Sequence, residues 1–311
     1  LDRVLPIFEE HDLRFCNLEG PVSDRGTPVS KPILIRSKVE TIAALKKARF
    51  DVVSFANNHS LDYGPDAFLH TLKLLDQNSI AFVGGGKDLL SAQKPVFLER
   101  KGYRIGFLAY ASYFDKGFEA TEQHPGLSPV RVDPLYAPPH INEEDLKAMI
   151  AAISETKAQA DIVVVSHHWG VSLGRTLTVY QRYLAHQTID AGADIVLGSH
   201  PHILQGIELY KNKVICYSLG NFVFGTWPQF FTNATKQTMI LTCLMEAHTV
   251  KEVFFRPVIA NELFQPEIVT AGEQMFEMIV DTMSELSAPL GTLLYPQGDK
   301  IWVLNKTSGG I

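Results

Sequence analysis

The stretch Asp161-Ile162-Val163-Val164-Val165-Ser166-His167-His168 decides how the rest of the chain is read. An acidic residue leads into an apolar run of strand length, and the run ends on two imidazoles. Near-continuous Val/Ile runs of this kind mark strands buried on both faces, as in parallel sheets. The same plan recurs in Asp12-Leu13-Arg14-Phe15-Cys16-Asn17-Leu18-Glu19, in Asp51-Val52-Val53-Ser54-Phe55-Ala56-Asn57-Asn58-His59, and in Asp194-Ile195-Val196-Leu197-Gly198-Ser199-His200-Pro201-His202. Glu19, Asn58 and His168 each lie seven residues after the Asp, and His200 and His202 bracket that offset.

Helical patterns precede three of the four runs. Val39, Ile42, Ala43 and Leu45 predict a helix before Asp51, and Leu146, Met149, Ile150 and Ile153 one before Asp161. Tyr180 to Ile189 predicts a third, stopped by Gly192. Gly64-Pro65 opens another, with Phe68, Leu72 and Leu75 on one face and Pro65 suited to the first helical position. Strands alternating with helices imply βαβ units and a largely parallel core sheet. The C-terminal ends of such strands share an edge, where open α/β sheets bind ligands. Glu19, Asn58, His59, His168, His200 and His202 are therefore expected on one rim.

Three hairpins are expected elsewhere, and they predict a mixed second sheet. One spans Val96 to Tyr110 and turns at Lys101-Gly102. Another spans Ile207 to Asn221 and turns near Asn212. The third spans Met239 to Ala260 and turns near His248-Thr249. Ser112 to His140 carries several Pro and Gly without a period and reads as a long functional loop. Asn261 to Ile311 holds an amphipathic helix around Met275, Ile279, Met283 and Leu286, then a strand from Ile301 to Leu304. With no convincing linker, residues 1–311 read as a single domain, with 261–311 a C-terminal extension packing on it.

At 311 residues, 46% hydrophobic and 20% charged, the chain has the profile of an ordinary globular protein with a core that needs no staples. Its net charge of -6 and lack of basic clusters argue against a nucleic-acid partner. The three cysteines show no zinc-knuckle or CxxC spacing. No window approaches the roughly 20 apolar residues of a membrane span. Residue 1 is Leu, not Met, so the true N-terminus, with any leader or anchor it carries, is expected to lie outside this sequence.

A carboxylate, an amide and several imidazoles with no thiolate form an N/O donor set suited to Zn, Mn or Fe. Two such ions clamp the attacking and leaving oxygens of a displacement at phosphorus. Any one of these residues alone reads as a structural histidine or a turn former; four strand ends with one layout favour a shared metal site. Adjacent residues of an extended segment point opposite ways, so only one of His167 and His168 is expected to face it. His200 and His202, two apart, are expected on the same side. His11, His70, His124, His140, His186 and His248 read as surface or structural.

In order and spacing, Asn17-Leu18-Glu19, Ala56-Asn57-Asn58-His59 with Asp62-Tyr63-Gly64, His168-Trp169-Gly170, Gly192-Ala193-Asp194 leading to His200-Pro201-His202, and Tyr217-Ser218-Leu219-Gly220-Asn221-Phe222 resemble the CapA-type poly-γ-glutamate capsule biosynthesis family, a branch of the calcineurin-like metallophosphoesterases. The resemblance runs from about Asp12 to about Phe224. It implies a four-layer α/β/β/α sandwich with two divalent ions, Mn, Zn or Fe. Glu19, Asn58, His168, His200 and His202 match metal ligands, His59 matches the catalytic histidine, and Asp62 is expected to orient it. Members open with a strand ending in Gly-Asp, a metal ligand; no such strand follows Leu1, so it is expected ahead of this sequence. Val171-Ser172 stands where an acidic residue is common, and Ser199 where many members have His.

The function implied is a metal-dependent hydrolase of phosphoesters, or less readily of a γ-glutamyl amide, tied to capsule synthesis or export. The alternative is a non-catalytic accessory that binds polyglutamate at the cell surface beside membrane-bound capsule machinery, with Lys31, Arg36 and Arg175 as a basic patch. A purely structural zinc site is disfavoured, because such sites favour thiolates. The family's usual place is the cell surface, held by an N-terminal anchor.

Overall fold

The structure, a computed structural model, describes residues 1–133, 139–224 and 232–306. The chain divides into two compact units, Ile7–Trp169 and Leu1–Pro6 with Gly170–Ile311.

In the unit Ile7–Trp169, strands Phe15–Asn17, Val52–Ser54 and Ala81–Val83 form a parallel sheet in that order. Helix Thr41–Lys47 makes the first crossover and Gly64–Gln77 the second, with Pro65 in its first turn. Phe68, Leu72 and Leu75 are buried, and the Phe68 ring stacks on Phe55 with centroids 5.2 Å apart. This is the alternation that the apolar periods predict.

The strand Ile162–His168 is buried along its whole length and runs parallel to Tyr103–Ala111, in register from Ile162 opposite Ile105 to His168 opposite Ala111. Val96–Arg100 pairs antiparallel with Tyr103–Ala111 across Lys101 (φ 48°) and Gly102 (φ 85°), the left-handed pair that a tight hairpin needs. The expected single parallel sheet is thus corrected: Phe15–Asn17 and Val52–Ser54 belong to one sheet and Ile162–His168 to another. The hairpin supplies the parallel neighbour that Ile162–His168 needs. The two sheets approach closely at Gly84 (φ 80°), where a Cβ would stand 2.5 Å from Ala56 Cβ and 2.8 Å from Ala109 Cβ. Phe15 and Phe107 stack between them, 6.0 Å apart.

The long loop also has more order than its composition suggests. Gly126–Leu127 pairs with Gly85–Gly86, and Val132–Asp133 with His140–Ile141. Arg131 grips Asp145 with two 2.7 Å hydrogen bonds from Nε and Nη2, which ties the loop to helix Glu143–Lys157. Residues 134–138 of this loop lie outside the described ones.

In the other unit, strands Ile195–Ser199 and Lys213–Cys216 are parallel, and Ile207–Tyr210 adds an antiparallel edge across Lys211 (φ 51°) and Asn212 (φ 59°). Helix Val179–Asp190 starts at a capping box of Thr178 and Gln181. His186 on this helix bonds buried Glu208 at 3.1 Å and stacks on Tyr210 at 3.8 Å. A separate antiparallel sheet holds Gln237–Glu246, Thr249–Ala260, Lys300–Asn305 and Thr292–Gln297 in that order, with Pro266–Ile268 beside Thr249–Ala260. Its first hairpin turns at Ala247-His248, one residue before the expected position. The third hairpin therefore lies in a different sheet from Ile207–Tyr210 and Lys213–Cys216.

Helix Gln274–Ser287 buries Phe276, Ile279, Val280 and Met283. Ser287 Oγ accepts from Ile207 N at 3.0 Å and Thr292 Oγ1 from Leu209 N at 3.2 Å, so the C-terminal stretch is stitched onto strand Ile207–Tyr210. The chain is α/β, as its periodicity indicates. Among the described residues no helix is long and apolar enough to cross a membrane.

Candidate functional site

In the unit Ile7–Trp169, the ends of the first two strands are tied together by a residue whose type ordinarily marks a turn. Asn57, fully buried, donates from Nδ2 to Leu18 O at 2.8 Å. Its Oδ1 accepts from Gly20 N at 3.3 Å and from His59 N at 3.2 Å. One amide thus holds the Glu19 loop against the Asn58-His59 turn. Gly20 has φ 83°, and a Cβ there would meet Ile35 Cγ2 at 2.8 Å, so the loop needs glycine at this point. Ser60 Oγ donates to Phe55 O at 2.6 Å and closes the turn from below.

His59 is buried, and its Nδ1 lies 2.6 Å from Asp62 Oδ2. Asp62 has no exposed surface; its Oδ2 also accepts from Ile35 N at 2.7 Å, and its Oδ1 takes the Lys31 ammonium at 2.9 Å. Lys31 is therefore not the surface charge of a basic patch. Its side chain is 11% exposed and paired with Asp62, because a buried carboxylate needs a nearby cation. Arg36 lies over the Tyr63 ring, 4.1 Å from its centroid, and Arg175, in the other unit, is exposed.

His168 Nε2 stands 2.8 Å from Asn58 Oδ1. Its neighbour His167 faces the other way and is packed into the core. It stacks on Trp169 with ring centroids 4.6 Å apart and on Tyr110 at 5.9 Å. Burial pulls its pKa down to about 3, so the ring is neutral and behaves as a flat apolar body.

In the unit with Gly170–Ile311, strand Ile195–Ser199 ends where His200 (φ 95°) and His202 (φ 60°) enter the left-handed region on either side of Pro201. The rings come within 6.0 Å, at 50° to each other. An extended backbone was the expected reason for their sharing a side; the observed reason is this pair of positive φ values. Non-glycine residues in such conformations store strain and concentrate at functional sites. His202 Nδ1 lies 2.9 Å from Asn221 Oδ1, which fixes the ring, and the Phe224 edge packs on it at 5.1 Å. Asn221 sits a few residues beyond a hairpin strand, and a lone amide there gives no signal of this role.

The structure thus brings Glu19, Asn58, His59, Asp62 and His168 into one unit and His200 and His202 into the other. Among the described residues, no group of three or more His, Cys, Asp or Glu side chains is arranged to hold a metal ion. The Asn58–His168 pair nonetheless fits one. Ligands about 2.0–2.2 Å from an ion and at right angles to each other are about 3 Å apart, and these two donor atoms are 2.8 Å apart. Both are N or O donors.

The family model described as "Bacterial capsule synthesis protein PGA_cap" matches residues 1–226. The chain is 38% identical over 224 residues to the PGA biosynthesis protein CapA of Bacillus subtilis (strain 168), across 71% of this chain and 55% of that protein. It is 36% identical over 225 residues to the capsule biosynthesis protein CapA of Bacillus anthracis, across 71% and 52%. A probable polyglutamine synthesis accessory protein of Mycobacterium tuberculosis (strain ATCC 25618 / H37Rv) is 32% identical over 218 residues, across 68% and 55%. The chain therefore spans about half the length of the curated relatives it matches. Among solved structures, a hypothetical protein from Thermus thermophilus aligns with a TM-score of 0.44 at 19% identity, over 85% of this chain and 87% of that one. With residues 1–226 of 311 matched, the chain belongs to the bacterial capsule synthesis protein PGA_cap family.

Proposed function

We propose that this chain carries a metal-dependent phosphoester hydrolase site that serves poly-γ-glutamate capsule synthesis or export. The observation that carries the reading is the pairing of two contacts on one turn: Asn58 Oδ1 at 2.8 Å from His168 Nε2, and His59 Nδ1 at 2.6 Å from Asp62. The first supplies metal-ligand atoms and the second an acid–base group beside them. Glu19, Asn58 and His168 would hold the metal in this unit; His200 and His202 are candidate ligands within the other. A bound divalent ion supplies Lewis-acid polarisation of a phosphoryl oxygen.

The chain's own residues do the rest. Asp62 holds His59 by Nδ1, which leaves Nε2 as the nitrogen that moves a proton. Charged as the imidazolium, with Nδ1–H held by Asp62, His59 would give its Nε2 proton to a leaving oxygen and be left as the neutral Nδ1–H form, an effect worth about 10²–10⁴-fold in rate. Asn57 keeps the Glu19 loop and this turn in register, so that carboxylate, amide and imidazole are presented together. The names of the Bacillus relatives support the link to capsule polymer.

A second reading, an accessory that binds polyglutamate without turning it over, is favoured by one observation. Among the described residues, no three His, Cys, Asp or Glu side chains are arranged around a common point. The name of the Mycobacterium relative agrees with this reading.

The test is metal content by elemental analysis together with hydrolysis of bis(p-nitrophenyl) phosphate, for wild type, His168→Ala and His59→Gln. The hydrolase reading expects bound Mn, Zn or Fe that drops in His168→Ala, and turnover that collapses in His59→Gln with metal retained. A wild type that binds polyglutamate but takes up no metal and turns over nothing supports the accessory role instead.

A further inference from the structure

Lys31 lies in the irregular segment between strands Phe15–Asn17 and Val52–Ser54, yet it is among the most constrained cations of its unit. Its Nζ lies 2.5 Å from Asn58 O, 2.9 Å from Asp62 Oδ1 and 3.2 Å from Asp115 Oδ2. An ammonium has three hydrogens and no lone pair; Asn58 O and Asp62 Oδ1 accept from it, and Asp115 is an ion-pair partner. His59 Nδ1 is only 3.5 Å from the same Nζ. A carboxylate oxygen only accepts, so at 2.6 Å from Asp62 Oδ2 it is Nδ1 that carries the hydrogen between them, and the Lys31 contact at 3.5 Å is the longer and weaker of the two. The Lys31 ammonium also lies over the Phe118 ring, 5.4 Å from its centroid, a further contact that holds it in place.

We propose that Lys31 is a positioning residue for His59: by saturating Asp62 Oδ1 and the Asn58 carbonyl, it fixes the imidazole in the Nδ1–H tautomer and leaves Nε2 as the proton-exchanging atom. Its catalytic consequence rests on the hydrolase reading above; its effect on the tautomer does not. Of the two carboxylates on Lys31, Asp62 is fully buried and Asp115 is 56% exposed. The buried partner sets the position, and the exposed one, screened by water, contributes little.

The test uses the whole chain, metal-free, with ring-¹⁵N histidine, read by long-range ¹H–¹⁵N correlation at one alkaline pH. The His59 signal is identified by its loss in His59→Gln. The wild type is expected to show hydrogen on Nδ1, Lys31→Met a mixture of tautomers, and Lys31→Arg and Asp115→Asn the wild-type pattern. In the metal-loaded protein, Lys31→Met is expected to lower kcat for bis(p-nitrophenyl) phosphate by about 10–100-fold with little change in KM, in line with the loss of an outer orienting partner, and Lys31→Arg to restore part of it. A wild-type spectrum with the hydrogen on Nε2 overturns the proposal without any variant, which guards against Lys31→Met failing to fold. An unchanged spectrum in folded Lys31→Met overturns it as well. If the wild type hydrolyses nothing, the hydrolase reading fails on its own, and the spectra alone decide the role of Lys31.

Discussion

The carboxylate of Asp62 sits between two nitrogen groups, with His59 Nδ1 2.6 Å from one oxygen and Lys31 Nζ 2.9 Å from the other. With no surface exposed, it is held by protein donors alone. Removing a charge from such a pair leaves its partner buried without compensation, which costs about 3–5 kcal/mol in typical cases. Asp62→Asn is therefore expected to lower stability by about 3 kcal/mol, and Lys31→Met by a comparable amount. The double variant is expected to be more stable than the sum of the two losses by about 1–3 kcal/mol. Urea denaturation of the four proteins measures this, and simple additivity would show that the two groups do not depend on each other.

Neighbouring histidines make a second comparison. His168→Ala removes the atom facing Asn58 Oδ1 and is expected to weaken Mn or Zn binding by about tenfold or more. His167→Phe keeps a flat ring between Trp169 and Tyr110 and is expected to leave metal binding within about twofold of wild type. Calorimetric titration of both variants reads the difference; equal losses would mean that the two rings share one role.

Asn57→Ala is expected to cost about 2 kcal/mol, because Leu18 O and the Gly20 and His59 amides lose their buried partner. Its metal affinity should fall too, although Asn57 itself is no ligand. A variant that loses stability and keeps full affinity would show that the Glu19 loop is held by other means.

The strands and helices were legible because each carried its own period, as in Ile162–His168 and the helix with Phe68, Leu72 and Leu75. The hairpin turns were legible because Lys101-Gly102 and Asn212 announce left-handed backbone. Sheet membership was not. Buried parallel strands look alike wherever they go, and what separates Val52–Ser54 from Ile162–His168 is the hairpin partner of the latter and the close approach at Gly84. The candidate site residues share one sequence signal, their place after each strand. Asn57, Lys31 and Asn221 were missed because their roles are contacts between segments distant in sequence, and no local spacing encodes those. An Asn in such a loop ordinarily means a turn and a Lys a surface charge, and neither meaning points to these contacts.

Cys216 is fully buried, and burial pushes its thiol pKa up to about 12. Only the thiolate attacks a disulfide reagent, and at pH 8 a thiol with this pKa is ionised to about one part in 10⁴. In a Cys16→Ser/Cys243→Ser background, the native protein is expected to release no colour from Ellman's reagent at pH 8 over the time in which the urea-unfolded protein reacts fully. Prompt reaction of the native protein would mean that this strand opens readily.

His200 makes the last prediction. Its φ of 95° is one that L side chains adopt only under strain, and such a residue costs about 1–3 kcal/mol. The surrounding turn must hold it there, as Leu173 N does by donating to Pro201 O at 2.8 Å. Both His200→Ala and His200→Gly delete the ring, so they lose the same ring contacts. They differ in the Cβ, which Gly lacks. In a relaxed strand or helix Ala is the more stable of the two by about 0.5–1 kcal/mol. Here the order is expected to reverse, with His200→Gly more stable than His200→Ala by about 1 kcal/mol, while both lose whatever metal His200 binds. Thermal unfolding of the pair, followed by metal titration, separates strain from ligation. Should Ala prove the more stable, the positive φ carries no strain, and the imidazole sits at His200 at no cost to the fold.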